Sequence, residues 1–597
     1  MPDDALAARP RARASFVGGR ERPLFLWHHP PAAQRRRAAA VVLCPAIGYE
    51  YMSAYRSWRL LAERLAARGF DVIRFDYDGT GNSSGCPEDP HRFDAWKRSV
   101  GAAIDEAGRL AETDRIALVG LRAGSLLALQ AAAAWGGVER LALWSPFPSG
   151  RAYVRELKAI ASLNEQGEEA EGAGINVEGH LITDETVNSF VRWSLAGITR
   201  RPAPHVILLE RDDRHADGAV DAHLRALGCR VDRLSVAGTA EMLLPPHLAK
   251  VPEHALETLV NWFDPWHESS TSEQSHASVE RVPALALDAY DNEQPVHFGP
   301  DQRLFGIMTR PAADRAAAPS IVLLNTGAGH HVGPHRLYVP LAREWAAEGH
   351  LVFRFDLGGI GDSAAPHGAE GGDAYPGHMI DDAREAIALV RKEAPDRPVM
   401  LVGLCSGGWL AFEAARSGLP VGAIISINPP LYLRDGDRGW VRQQRQIDRY
   451  HRSIRDPMKW LKALRSATTT AAVVRTIARR AGRHATTRLR RLTGDRLPAG
   501  LAHDLQIIAG NHIATFFVFS DGDNGHRYFE QHAPPALQRP DVRQFVQHVV
   551  VDDAGHVFRP MAAQRRLKSL LNELVSRLTA PVERANAQNA TWARRPV

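Results

Sequence analysis

The five residues from Gly403 to Gly407 place Cys405 at the centre of a sharp, glycine-rich turn. The apolar run 399–402 before the turn predicts a buried parallel strand, and the run 409–416 after it predicts a helix. A strand–turn–helix of this kind exposes the central side chain and aims helix N–H groups at its target, as in a nucleophile elbow with Cys in place of Ser. We therefore predict that Cys405 is a nucleophile. The alternative is a Cys packed as a small core residue.

The composition of the 597 residues, 45% hydrophobic and 24% charged, is typical of a globular protein with about two to four domains. The four cysteines (Cys44, Cys86, Cys229 and Cys405) show neither metal-ligand spacing nor a disulfide framework, which favours a reducing, cytoplasmic environment. Residues 1–20 lack the apolar segment of a secretory signal, and we find no apolar run long enough for a membrane span.

The two halves of the chain contain the same sequence phrases in the same order. The phrase Phe-Asp-x-x-Gly-x-Gly-x-Ser occurs at residues 75–83 and again at 355–363, an offset of 280 residues. The turn at 403–407 has its counterpart at 120–124, an offset of 283. This internal repeat predicts two domains of the same fold.

In both halves, apolar runs of strand length alternate with segments of helical spacing. Strands are predicted at 41–45, 70–76, 115–120, 141–144 and 206–209, and at 321–325, 350–356, 423–427, 515–519 and 545–551. The alternation predicts an α/β fold with a doubly wound, mainly parallel sheet in each half. We predict a flexible N-terminus at 1–21, domains at 22–265 and 283–580, a linker at 266–282 and a tail at 581–597.

These features together resemble the α/β-hydrolase family, and the resemblance extends over both halves. The phrase from Asn325 to Tyr338 is similar to that of exosortase-associated hydrolases. The Gly-x-Cys-x-Gly box is similar to that of polyhydroxyalkanoate synthases, which transfer acyl groups through a Cys. The resemblance implies that each half is an α/β-hydrolase fold with a helical cap.

The resemblance also implies a catalytic acid and base in the second half, in the chain order nucleophile, acid, His. The base follows the last predicted strand, which selects His556 over His548 inside that strand. The acid follows the preceding strand, which selects Asp523, with Asp521 as the alternative. In this assignment Asp523 orients His556, which accepts the proton of Cys405. We expect no cofactor and no metal.

The predicted oxyanion hole uses backbone N–H groups from two segments. One is the N–H of Ser406, directly after the nucleophile, and the other comes from the loop of Thr326, Gly327 and Ala328. Ser406 is also the alternative nucleophile, although its place beyond the apex turns its side chain toward the helix.

The first half lacks this set of residues. Its turn has Arg122 at the apex, and a guanidinium has no lone pair with which to attack. No His occupies the loop at 237–241, although Asp212 or Asp213 survives as an acid. We predict a pseudo-hydrolase domain in which Arg122 either pairs with Asp213 or binds an anion.

An insertion at about 431–512 is predicted to form a basic helical cap over the site. Residues 431–500 contain 18 Lys or Arg and 5 Asp, a net charge of +13. Such a cluster favours an anionic partner, and we predict that Arg479, Arg480 and Arg483 bind substrate. An acyl-CoA or an acyl carrier protein fits best as the donor, with an anionic lipid surface next. Nucleic acid is disfavoured because the segment has no stacking platform.

The sequence as a whole predicts a Cys-dependent acyltransferase or (thio)esterase that forms an acyl-thioester intermediate. The acyl group then passes to water or to a small-molecule acceptor. The alternative is a non-catalytic tandem scaffold that docks an acidic partner through the basic cap. The sequence decides neither the donor and acceptor nor the oligomeric state.

Overall fold

The computed structural model describes residues 11–19, 22–32, 36–164, 174–213, 218–268, 286–287, 292–311, 318–368, 371–433 and 500–579. In these residues each half forms one large sheet with hydrophobic core on both of its faces. The predicted fold class, two tandem α/β-hydrolase folds with mainly parallel sheets, is confirmed. None of the helices described has the length and hydropathy that a bilayer span requires.

The strands of the first half are β1 Arg13–Val17, β2 Leu24–His29, β3 Ala40–Cys44, β4 Asp71–Phe75, β5 Ile116–Leu121, β6 Val138–Trp144, β7 Gly174–Val177, β8 His180–Thr183, β9 His205–Arg211, β10 Arg230–Val236 and β11 Ala286–Leu287. Its helices are α1 Tyr49–Ala67, α2 Arg92–Ala111, α3 Ala123–Trp135, α4 Gly150–Asn164, α5 Asp184–Arg192, α6 Ala219–Ala226, α7 Thr239–Met242 and α8 Glu253–Phe263.

The strands of the second half are β12 Glu293–Phe298, β13 Leu304–Thr309, β14 Ser320–Leu324, β15 Val352–Asp356, β16 Val399–Leu404, β17 Ala423–Ile427, β18 Ala514–Ser520 and β19 Val546–Val551. Its described helices are α9 Tyr338–Ala347, α10 Met379–Glu393, α11 Ser406–Arg416, α12 Leu501–Gly510, α13 Asn524–His532, α14 Pro534–Leu537, α15 Pro540–Arg543 and α16 Met561–Thr579.

Both sheets follow the same strand order around a parallel centre. The first is β10-β9-β6-β5-β3-β4-β2-β1-β11, and the second is β19-β18-β17-β16-β14-β15-β13-β12. Strands β2, β1 and β11 in the first half, and β13 and β12 in the second, are antiparallel. The central strands β5 and β16 are buried along their whole length, as strands covered by helices on both faces must be. The site-bearing turns follow these two strands.

The two halves meet through contacts that repeat with the halves exchanged. Arg74 Nη2 donates to Asp362 Oδ1 at 2.8 Å, and Arg354 Nη1 donates to Asn82 Oδ1 at 2.8 Å. Arg74 and Arg354 are equivalent in the repeat, as are Asn82 and Asp362, each pair 280 residues apart. The interface therefore has the character of a two-fold dimer interface formed within one chain.

Buried carboxylates in this interface are already hydrogen bonded. His331, Asp356 and Asp362 bring possible ligand atoms within 4.8 Å of one another. Asp356 Oδ2 is 2.8 Å from His331 Nδ1 and accepts the Asp362 N–H at 2.9 Å, while Asp362 accepts from Tyr55 and Arg74. We interpret this group as part of the interface.

Several predicted boundaries are wrong. Residues 13–17, predicted to be flexible, form β1 within the first sheet. Trp266, placed in the linker, is buried and stacks on Phe70 with ring centroids 5.5 Å apart. Residues 286–287, assigned to the second domain, pair with β1 of the first. Helix α12, assigned to the cap, contributes Leu505 and Ile508 to the core of the second half. The rest of the predicted cap, residues 434–499, lies outside the described residues, as does the tail 581–597.

Candidate active site

Cys405 is the single residue between β16 and α11, and its backbone has a positive φ, which residues other than glycine rarely adopt. Its backbone has φ 57° and ψ −115°, and its N–H donates to the carbonyl of Ile427 at 2.8 Å. Glycine is required on both sides of it. A Cβ on Gly403 would lie 2.3 Å from the Gly407 carbonyl carbon, and a Cβ on Gly407 would lie 2.6 Å from the carbonyl oxygen of Asn325. This close packing maintains a strained apex of the kind common at functional sites.

The structure brings the side chains of Cys405, His556 and Asp523 together. His556 Nδ1 is 2.6 Å from Asp523 Oδ2, and His556 lies close enough to the Cys405 thiol for each group to shift the pKa of the other. Asp523 precedes α13, and its other oxygen accepts the N–H of Gly525 at 2.7 Å. The backbone of His556 is held as well, because Asn428 Nδ2 donates to its carbonyl at 2.8 Å. The three predicted site residues thus lie next to one another, in the chain order predicted from the sequence.

The charges of the site favour the ion-pair form of Cys405 and His556. Burial raises the pKa of the thiol, but the hydrogen bond and charge of His556, with a smaller effect of Tyr375, bring the pKa below its ordinary value. Partial desolvation lowers the pKa of His556, whose side chain is 42% exposed, but its interactions with Asp523 and Cys405 outweigh this effect and raise the pKa to about 10. A thiol pKa lowered by a neighbouring His⁺ increases the fraction of thiolate, the reactive form.

Tyr375 is a site residue that the sequence did not indicate. Its hydroxyl lies 4.0 Å from Cys405 Sγ, within hydrogen-bonding reach of sulfur, and its ring packs edge-on against Trp409 at 5.9 Å between centroids. Burial, reinforced by the nearby thiolate, raises the pKa of Tyr375 far above its usual range, so it is a donor at neutral pH. Tyr375 lies in the connection between β15 and α10, and no local motif marks it.

The Ser406 hydroxyl connects the turn to the predicted oxyanion loop. Its Oγ accepts the N–H of Gly327 at 2.8 Å and donates to the carbonyl of Asn325 at 3.4 Å. The N–H of Gly327 is therefore engaged by Ser406 in this structure, and its role as an oxyanion donor stays a prediction. The buried hydroxyl of Ser406 is likewise engaged, whereas its backbone N–H lies near the Cys405 sulfur and helps to lower the thiol pKa. Thr326 Oγ1 is 3.3 Å from the Tyr338 hydroxyl.

The alternative base His548 and the alternative acid Asp521 make other contacts. His548 lies within β19 and packs against Phe529, with ring centroids 5.1 Å apart. Asp521 is exposed, and its N–H donates to the carbonyl of Val551 at 3.0 Å. The structure thus brings His556 and Asp523, and neither alternative, to Cys405.

Arg122 repeats the geometry of Cys405 in the first half, with φ 55° and ψ −119°. Its guanidinium is buried between two carboxylates, with Nε 2.8 Å from Glu50 Oε1 and Nη2 2.7 Å from Glu156 Oε1. It also lies over the ring of Phe147 at 4.3 Å and donates to Ser145 Oγ at 3.3 Å. An internal ion-pair cluster therefore occupies the place of the nucleophile.

The predicted pairing of Arg122 with Asp213 is wrong. Asp213 is exposed and pairs with Arg211 at 2.6 Å, and the neighbouring Asp212 is exposed too. An added anion would compete with two carboxylates already in place. At the position expected for the base, Thr239 Oγ1 accepts from Trp144 Nε1 at 3.0 Å.

Arg479, Arg480 and Arg483, the predicted substrate-binding residues, lie outside the described part of the chain. Their placement relative to Cys405 stays a prediction.

Comparisons with known proteins agree with this architecture. The family model Hydrolase_4, described as serine aminopeptidase, S33, matches residues 35–168 and 316–494, which together make up about half of the chain. Its second segment includes Cys405 and ends before Asp523 and His556. No curated protein sequence matches the chain.

Among solved structures, proline iminopeptidase from Mycobacterium smegmatis is 14% identical and aligns 43% of this chain with 100% of its own, at a TM-score of 0.33. Est1E from Butyrivibrio proteoclasticus, solved with ferulic acid bound, is 19% identical and aligns 42% of this chain with 96% of its own, also at a TM-score of 0.33. Each covers less than half of the chain.

Proposed function

The chain belongs to the serine aminopeptidase S33 family of α/β hydrolases, and we propose that its second half is a cysteine-dependent acyl-transfer enzyme. In this proposal Cys405 attacks the carbonyl carbon of an ester or thioester. His556 donates a proton to the leaving group and accepts one from the acyl acceptor, and Asp523 orients His556. The product of the first step is an acyl-thioester enzyme.

One observation carries the proposal: Cys405 at the apex of the turn lies beside His556, whose Nδ1 is 2.6 Å from Asp523 Oδ2. A core cysteine has no need of a positive-φ apex, of flanking glycines or of an imidazole paired with a carboxylate. These features together are those of an activated nucleophile.

The first half-reaction begins from the thiolate–imidazolium pair. The Cys405 sulfur forms a bond to the acyl carbon, and the carbonyl oxygen becomes an oxyanion. The N–H of Ser406, with Thr326 or Ala328, stabilises that charge. When the bond to the leaving group breaks, His556 donates its proton to the leaving oxygen or sulfur. The enzyme then holds the acyl group as a thioester.

The second half-reaction uses the same base. Neutral His556, held in its tautomer by Asp523, removes a proton from water or from an acceptor hydroxyl or amine. The acceptor attacks the thioester carbonyl, and the sulfur leaves as thiolate. His556 retains the proton and the ion pair is restored. The choice between hydrolysis and transfer depends on which acceptor reaches the site.

We propose a thioester donor carried on CoA or on an acyl carrier protein. Thiolates exchange readily with thioesters, and the +13 net charge of residues 431–500 complements phosphate or acidic groups on such donors. Arg479, Arg480 and Arg483 are the proposed contacts. The family description names an aminopeptidase, so an aminoacyl amide belongs in the same comparison.

The test is turnover on a panel of acyl-CoA, acyl carrier protein, simple ester and aminoacyl amide donors. We expect release of the acyl group from one donor class, and the Cys405→Ala variant should lose it. Turnover that persists in Cys405→Ala would refute the role of Cys405. Failure of every donor with the wild-type protein would favour the non-catalytic scaffold.

A further inference from the structure

A hairpin of the first half lies against the segment that follows His556. The hairpin is formed by β7 and β8. Its Glu178 Oε2 is 2.8 Å from Arg559 Nη2, and its Asn176 Nδ2 donates to the Arg559 carbonyl at 3.1 Å. From α16, Gln564 Nε2 donates to the carbonyls of Gly179 and Arg559, at 2.8 and 3.0 Å. The residue three positions after His556 is thus fixed by the opposite half of the chain.

His335 extends this contact one step closer to the site. Its Nε2 donates to the carbonyl of Val557, the neighbour of His556, at 3.0 Å. Its ring packs directly on the hairpin, where a Cβ on Gly179 would lie 2.2 Å from Cε1, and its centroid is 5.3 Å from that of His180. Burial lowers the pKa of His335 to about 4, so the ring stays neutral as pH changes around neutrality. The hydrogen bond from His335 to the Val557 carbonyl is therefore present both before and after acylation of Cys405.

The segment 556–559 is held at three of its four carbonyls and by burial of Phe558, rather than by a neighbouring strand. Asn428 binds the carbonyl of His556, His335 binds that of Val557, and Asn176 and Gln564 bind that of Arg559. The side chain of His556 itself is 42% exposed, so packing around the ring contributes little to its position. The position of the ring relative to Cys405 therefore depends on its hydrogen bond to Asp523 and on the anchors of its backbone.

We propose that the β7–β8 hairpin is a positioning device for His556, by which the chemically silent half controls the reactivity of the active half. This inference rests on the proposed function. Glu178, Asn176 and Gln564 are positioning residues, since none touches a reacting atom. The effect can be large, because a displacement of about 1 Å in a catalytic group can reduce a rate roughly a hundredfold.

These contacts are separate from those that hold the halves together. The main interface contains Arg74 with Asp362 and the buried Arg336, which donates to three backbone carbonyls of the first half at 2.6–2.8 Å. Truncating hairpin side chains leaves these bonds in place. Positioning can therefore be tested while the two halves remain associated.

The test compares the double variant Asn176→Ala/Glu178→Ala and the single variant Gln564→Ala with the wild type. Glu393→Ala is the matched control, because it removes a partly exposed ion pair of the second half at the same 2.8 Å, between Arg310 and Glu393. Two quantities are measured: the pH dependence of Cys405 alkylation by iodoacetamide, and the single-turnover acylation rate with the half-saturating donor concentration.

We expect the double variant to acylate about tenfold more slowly or worse, with an unchanged half-saturating concentration. The alkylation profile should move to higher pH, because a displaced His556 no longer lowers the pKa of Cys405. If the double variant does not fold, Glu178→Ala alone should slow acylation by up to about fivefold, the limit for a partly exposed ion pair. Glu393→Ala should match the wild type.

Folded hairpin variants with the wild-type alkylation profile and acylation rate would overturn the inference. The alkylation profile needs no acyl donor, so failure of the proposed acyl transfer is distinguishable: the wild type would then show no acylation, whereas the hairpin variants would still shift the reactivity of Cys405.

Discussion

Replacing Arg122 with Ala should destabilise the first half strongly and leave the chemistry of the second half nearly intact. The side chain of Arg122 is 2% exposed, and its two partners Glu50 and Glu156 are 0% and 13% exposed. Removing the cation leaves buried carboxylates without their counter-charge, which typically costs about 3–5 kcal/mol. At roughly 2–4 °C per kcal/mol for a domain of this size, the unfolding temperature should fall on the order of 10 °C.

The stability loss should depend on pH with a definite sign. Burial raises the pKa of Glu50 above its ordinary 4.5, and Arg122 opposes that increase. Without Arg122 the folded-state pKa rises further, so the folded protein binds more protons than the unfolded chain between the two pKa values. Stability then increases as pH falls from neutrality toward 4.5, and the deficit of Arg122→Ala should shrink.

The assay is differential scanning calorimetry at several pH values, combined with single-turnover acylation. Arg211→Ala is the control, because its partner Asp213 is 44% exposed and such a pair contributes about 1 kcal/mol or less. Adding Glu50→Gln to Arg122→Ala should recover part of the loss. A wild-type melting temperature for Arg122→Ala would refute the structural role, and loss of acylation beyond about tenfold in a folded variant would mean that Arg122 itself supports the chemistry.

Three further predictions concern the second half. Cys405→Ala should lower turnover about 10⁴-fold or more, Cys405→Ser should leave a small remainder, and Ser406→Ala should still form an acyl-enzyme; normal turnover in Cys405→Ala would contradict the assignment. The triple variant Arg479→Glu/Arg480→Glu/Arg483→Glu should lower kcat/KM for a CoA or carrier donor and leave kcat/KM for an uncharged thioester unchanged. In the wild type, added salt should likewise lower kcat/KM for the charged donor only. Equal salt sensitivity for both donors would mean that the cap does not recognise the substrate. Tyr375→Phe should move the pH profile of Cys405 alkylation upward, because its hydroxyl helps to lower the thiol pKa; an unmoved profile would show that the contact at 4.0 Å is without effect.

The parts of the fold that the sequence predicts well are those set by local pattern. Strand β17 was predicted at 423–427, the bounds it has, and β16 and α11 lie on either side of the predicted turn. An uninterrupted apolar run between turn residues can only be a buried strand here, whereas the antiparallel strands β1 and β12 have similar lengths but contain polar residues such as Arg13 and Glu293. The β7–β8 hairpin lies in the connection between the parallel strands β6 and β9, where the order of apolar and polar residues does not show which residues pair.

In the candidate site, too, the residues set by local sequence were predicted and those set by packing between distant segments were not. Cys405 and Gly407 follow from backbone geometry that one pentapeptide encodes, and His556 and Asp523 follow strands that can be located. The partners of Arg122 were missed because Glu50 and Glu156 lie 72 and 34 residues away along the chain. Tyr375 and the engaged N–H of Gly327 depend on how loops pack, which no spacing rule reports.

The most direct test of the central claim is intact-mass analysis of the protein after brief exposure to each acyl-CoA and acyl carrier donor, followed by mapping of the modified peptide. The account predicts a mass increase equal to one acyl group, located on Cys405, absent from Cys405→Ala, and slower to form in His556→Ala. An adduct on another residue, or an unmodified protein with every donor while Cys405 remains reactive toward iodoacetamide, would contradict it.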